Sequence, residues 1–224
     1  MTTLVTTPQL QDDSIAIVIQ SKVEATIDEL IASLPDINTL TSSERRGIIA
    51  RYSAVLEGNF IYWMTAALLA IQSEEAKPII LDNLHEEVRD AHPAMLRRFA
   101  LAAHAYPTDK DAMAVDEDLT KVRVFLGRLS GVQSLVTMAF FEGFIQKFMG
   151  YLADLAVAEK SSDMEYTDVH GVCDIAHTQG LFTALGTEVV INPLDPGADP
   201  LEGVHLLHNL IQTIVFNRKE TLGA

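Results

Sequence analysis

The sequence predicts an all-α fold of six or seven helices in one domain spanning residues 1–224. Three observations lead there. Apolar residues recur at helical spacing through most of the chain. Proline and capping signals punctuate the periodic stretches. A single short β-branched run, Thr187 to Ile191, offers itself as a strand, and one strand makes no sheet. No Pro/Gly/Ser-rich linker divides the 224 residues, which suffice for one sizeable core, and no repeat of 20 to 50 residues is apparent.

Residues 1 to about 12 read as a polar, frayed arm. From Ser14 apolar residues fall at helical spacing until Pro35 ends the first helix. Thr41 followed by Glu44 forms a capping box for a second helix over about 42 to 72, on which Ala50, Ala54, Glu57, Ile61 and Met64 share a face. Glu57 therefore falls in an apolar stripe, where it must find a cation or a metal. Pro78 opens a third helix, and Pro93 kinks it or forces a restart before Pro107 stops it. Residues 107 to 116 read as a loop. A long helical pattern follows from about Glu117 to Glu159, with a break near Ser130-Gly131, and Glu142 is the one acid in its apolar centre. The next helix begins at about Tyr166 and ends near Gly186, after which 187–191 reads as extended. Residues 192–199 form a surface loop, and Asp199-Pro200 starts a last helix reaching about Asn217.

Composition excludes several function classes. A formal charge of -15 and a pI of about 4.7 leave no basic stripe for nucleic acid. Although hydrophobic residues make up 48% of the chain, Glu57, Arg123, Glu142 and Lys147 interrupt the apolar runs, so no membrane span is expected. The opening Met-Thr-Thr-Leu-Val-Thr-Thr-Pro lacks the basic-then-apolar pattern of a secretory signal. A single cysteine, Cys173, rules out an internal disulfide framework and fits a reducing cytoplasm; inside a helix it reads as a small filler.

The functional signal centres on residues 166 to 179. His170, Asp174 and His177 fall at i, i+4 and i+7, so one helical face presents two imidazoles and a carboxylate. That donor set suits iron, manganese or zinc. Other helices offer partners: Glu57, Glu142, and His92 with Glu86 or Glu87. Undistorted helical geometry separates both glutamates from His92, but a kink or a one-residue bulge near Pro93 brings Glu87 onto the His92 face. His85, seven residues before His92, is a weaker rival, and His205 with His208 forms a weaker pair. Seven donors, Glu57, Glu87, His92, Glu142, His170, Asp174 and His177, suit two iron or manganese ions. A structural zinc would normally take four ligands with thiolates among them. Ferritin-like bundles supply Glu-x-x-His from two helices, and this chain has only Asp174-x-x-His177.

The His170-x-x-x-Asp174-x-x-His177 helix, residues 83–87 followed by His92-Pro93, the upstream Glu57 and the mid-chain Glu142 together resemble the heme-oxygenase-like diiron oxidase and oxygenase family. The resemblance spans residues 57 to 177. It implies an all-helical, heme-oxygenase-like fold whose pocket holds two ferrous ions, with manganese as the substitute, and takes dioxygen as co-substrate. It implies oxidation of a small natural-product precursor, an amino acid, amine or fatty acid, by N-oxygenation, carbon–carbon cleavage, alkene formation or nitrile formation. The interval between Glu86-Glu87 and His92 is shorter than the family pattern and lacks its glycine, which leaves open which glutamate binds.

Phe140, Phe141, Phe144, Tyr62 and Trp63 are candidate walls for such a pocket, and Arg89, Arg97, Arg98, Arg123 and Arg128 are candidate partners for a substrate carboxylate. The apolar content is compatible with a homodimer. Two other classes stand beside the enzyme: a non-catalytic helical interaction protein whose buried acids pair with histidines and arginines, and a heme enzyme with His92 or His170 as axial ligand.

Overall fold

The computed structural model of the protein describes residues 8–74 and 76–217. It is an all-α helical bundle. Among the described residues there are nine α-helices and a short 3-10 turn, and no strand: α1 Pro8–Ala32, α2 Ser42–Leu56, α3 Asn59–Ala70, α4 Lys77–Arg89, α5 His92–Ala102, α6 Asp109–Leu126, α7 Gly131–Ala158, α8 Glu165–Ile191 and α9 Glu202–Phe216. No helix among them is long and apolar enough to cross a membrane.

The bundle is built around α7. Every residue from Gly131 to Ile145 is buried. A helix apolar on all sides needs neighbours on all sides, and α1, α2, α3, α8 and α9 supply them. Its main partner is α8. Gly131 lies against Glu188, Glu142 against His177 and Met149 against Gly171, so the two helices run antiparallel along nearly their whole length. That contact also explains the departure at 187–191. The β-branched run stays helical because Val189 and Glu188 are buried against the core, and packing overrides weak helix propensity.

Punctuation decides the other elements. Thr41 and Glu44 make the expected capping box on α2. A second box, Thr108 with Asp111, starts α6 at Asp109, inside the stretch read as a loop. The expected 42–72 helix divides at Gly58, whose φ of 82° is open to glycine at little cost and turns the chain between α2 and α3. The restart near Pro93 is present, one step earlier than the proline itself: Ala91 adopts a left-handed conformation with φ 57°, and Pro93 sits in the first turn of α5. Of the expected arm, residues 8–12 belong to α1, and residues 1–7 lie outside the described residues.

Candidate metal centre

Three segments converge on the inner face of α8. On that helix His170 and Asp174 are buried and His177 is half-buried, as the i, i+4, i+7 spacing requires. The Nδ1–H of His170 donates to the Tyr166 carbonyl one turn back, at 2.8 Å. This leaves the Nε2 lone pair facing inward, 3.6 Å from Glu87 Oε1. Glu87, at the end of α4, also lies 2.7 Å from Nδ1 of His92, the first residue of α5. From α7, Glu142 Oε2 lies 3.7 Å from His177 Nδ1, and Asp174 Oδ1 is equally far from the same nitrogen.

The result is two groups that could each hold a metal ion: Glu87, His92 and His170, and Glu142, Asp174 and His177. Within each, one donor atom per residue lies within 4.8 Å of the others. A cavity of about 20 Å³ touches both groups. Its apolar walls are Leu56, Phe60, Leu96, Ile145 and the Tyr166 ring, the last tilted by 37° against His170 with ring centroids 4.3 Å apart. That volume accommodates about one or two water-sized molecules.

Electrostatics distinguish the groups. Burial acts to raise the Glu87 carboxyl, but the pull of the neighbouring His170 and His92 rings outweighs it and holds the group below the ordinary carboxylate value. His92 is raised in turn; burial opposes this and Glu87 prevails. Glu142 is raised, because complete burial outweighs the pull of His177. His177 is pushed up to about 9 against the cost of burial, by Glu142, Asp174 and Glu86.

The donor chemistry fits a pair of divalent ions. Three carboxylates and three imidazoles, with no thiolate among the six, suit iron, manganese or zinc. Three protein ligands per ion would leave coordination positions open. Glu142 Oε1 is buried with no hydrogen-bond partner, and a buried carboxylate oxygen in that state is costly unless something positive meets it.

Not every expected residue arrives. Glu57 lies outside both groups: the turn at Gly58 makes it the C-cap of α2, and it pairs with Arg97 Nε. Of the two adjacent glutamates, Glu87 joins the first group, whereas Glu86 Oε2 accepts from His177 Nε2 at 3.0 Å, on the side away from Glu142. Phe140, Phe141, Phe144 and Trp63 are buried in the core but do not line the cavity, and Tyr62 is exposed. The candidate arginines are engaged elsewhere, Arg89 with Asp90, Arg97 with Glu57, Arg98 with Glu165, Arg123 with Asn59 and Arg128 with Glu202. His205 is exposed beside Asp199, and neither it nor His208 belongs to a metal-competent group. The side chain of Cys173 lies outside the described part of the structure.

One acid escaped the sequence reading. Glu188 is fully buried, and its carboxylate accepts from the backbone N–H groups of Gln72 and Ser73 and from Asn192 Nδ2. It ties the α3–α4 connection to α8. Its signal was there to read: a lone acid within Thr187 to Ile191. No protein-family model matches the chain, and no curated protein matches it.

Proposed function

We propose that the protein is a non-heme diiron oxidase or oxygenase of the heme-oxygenase-like class, acting on a small amino acid or amine. The observation that carries this reading is the pair of three-residue groups around one apolar-walled cavity. Two ferrous ions held there would supply electrons for the reduction of dioxygen.

The protein's own part is positioning and exclusion. The Tyr166 carbonyl fixes the His170 ring with Nε2 inward. Glu86 does the same for His177, holding Nε2 so that Nδ1 faces Glu142 and Asp174. Leu56, Phe60, Leu96 and Ile145 keep bulk water from the cavity. A cavity of this size takes a diatomic molecule; an organic substrate requires a wall to move. It also leaves no room for porphyrin between His92 and His170, whose rings are 4.5 Å apart. The unpartnered Glu142 oxygen favours the metal reading over a purely structural set of acid–histidine pairs.

The test is anaerobic ferrous loading of the purified chain, then iron analysis and oxygen uptake with a panel of amino acids and amines. Two irons per chain and iron-dependent uptake are expected. A chain that retains no iron would favour the interaction-protein class.

A further inference from the structure

The six candidate ligands are not equally shielded. Five are buried, and His177, its side chain 11% exposed against 9% for Glu87, is the least shielded. It is also the one ligand of the six that does not line the inner cavity. It lines instead an open hollow of about 620 Å³ between α4 and α8. Anything passing from solvent to Glu142 and Asp174 by way of this seam meets His177 first.

The hollow is lined by two acids and two histidines. Asp82 and Glu86, one turn apart on α4, are its acids; His85 and Asn83 are its other polar groups on α4, and no lysine or arginine lines it. Asn83 is only 4% exposed, and its Nδ2 has no hydrogen-bond partner. A buried amide donor in that state needs an oxygen that the protein does not provide. Glu86 reaches from the hollow to His177 Nε2 at 3.0 Å, so one carboxylate touches both the entrance and the buried group.

We propose that this hollow is the cation entrance to the second metal group. The inference rests on the metal reading above. Asp82 and Glu86 draw in a hydrated divalent ion by their field. Glu86 would make the first carboxylate contact and pass the ion to Glu142 and Asp174, while its hydrogen bond to Nε2 keeps His177 Nδ1 facing them. Asp82 acts through charge alone, and Glu86 is a positioning residue as well as the first contact.

The experiment follows uptake of Co(II) by the metal-free full chain carrying Glu87→Gln, in which the second group alone is intact, using stopped-flow absorbance at low and high salt. Added Asp82→Asn should slow uptake at low salt on the order of tenfold, with the difference shrinking as salt rises and the bound Co(II) unchanged. Added Glu86→Gln keeps an acceptor for His177 and should slow uptake further. Asp116→Asn, which removes an exposed acid on α6, should leave the rate as it was. Rates for Asp82→Asn and Glu86→Gln equal to that of the Asp116→Asn chain would overturn the entrance while leaving the metal site standing. A parent chain that binds no Co(II) would overturn the metal reading and the entrance with it.

Discussion

Glu87 Oε1 lies 2.7 Å from His92 Nδ1, although the two residues belong to different helices and are five positions apart. On a continuous helix five positions would point the side chains well apart. The left-handed Ala91 and the restart at His92 remove that separation. The first candidate metal group therefore depends on a break in the chain as much as on the identity of its residues.

Substitution should divide the candidate ligands into two sets and leave one residue outside. Glu87→Gln is expected to abolish one bound ion, and Glu142→Gln the other. Glu57→Gln should abolish neither, since Glu57 caps α2 and pairs with Arg97. Metal analysis after loading and desalting checks this. A double-mutant cycle on Glu57 and Arg97 should give a coupling below about 1 kcal/mol, because both side chains are part-exposed.

The metal-free protein should lose stability as pH rises. His177 is raised from 6.5 to about 9 in the fold, so its contribution is complete below about pH 6.5 and disappears as pH passes through about 9. His92 is raised as well and acts in the same direction. Glu87, held below its ordinary value of 4.5, acts on the other side: its contribution is present above that value and is lost as pH falls. Thermal unfolding in chelator should show Tm falling from pH 6.5 to 9, and His177→Gln should flatten that slope. A Tm that climbs over this range would contradict the assignment.

Residues whose structure is set within one or two turns were legible in the sequence. The Thr41–Glu44 box and the common face of His170, Asp174 and His177 depend on local spacing, and both are present. Glu142 was legible because a lone acid in an apolar run needs a partner, and the partner lies on the adjacent helix. Glu57 was misplaced because helical periodicity carries across Gly58 while the backbone does not. The stretch 187–191 was misread because β-branched residues argue for a strand locally, whereas burial against α7 is a tertiary fact. The division of labour between Glu86 and Glu87 was illegible for the same reason; it is decided by which side of α8 each one meets.

Two glycines permit the close approaches that place the site. A Cβ at Gly131 would stand 2.2 Å from Glu188 Oε1 and 3.1 Å from the Ala70 carbonyl. Gly131→Ala should therefore destabilise by about 1 to 3 kcal/mol. Glu188→Ala, which leaves the Gln72 and Ser73 amides unpaired, should cost about 2 kcal/mol or more. Urea unfolding measures both.

At Gly180 the neighbour is Ile79 of α4, whose Cγ2 would lie 2.8 Å from an added Cβ. Gly180→Ala should push α4 away from α8 and, with it, Glu86 and Glu87. Weaker metal binding is expected, and Ile79→Ala in the same chain should restore it by making room. Competition with a metal-sensitive dye reads the affinity of each variant.

The most direct measurement is anomalous scattering at the iron edge from crystals of the anaerobically loaded protein. Two peaks are expected, one among Glu87, His92 and His170 and the other among Glu142, Asp174 and His177. Iron absent from both positions, or bound only elsewhere on the surface, would contradict the metal reading.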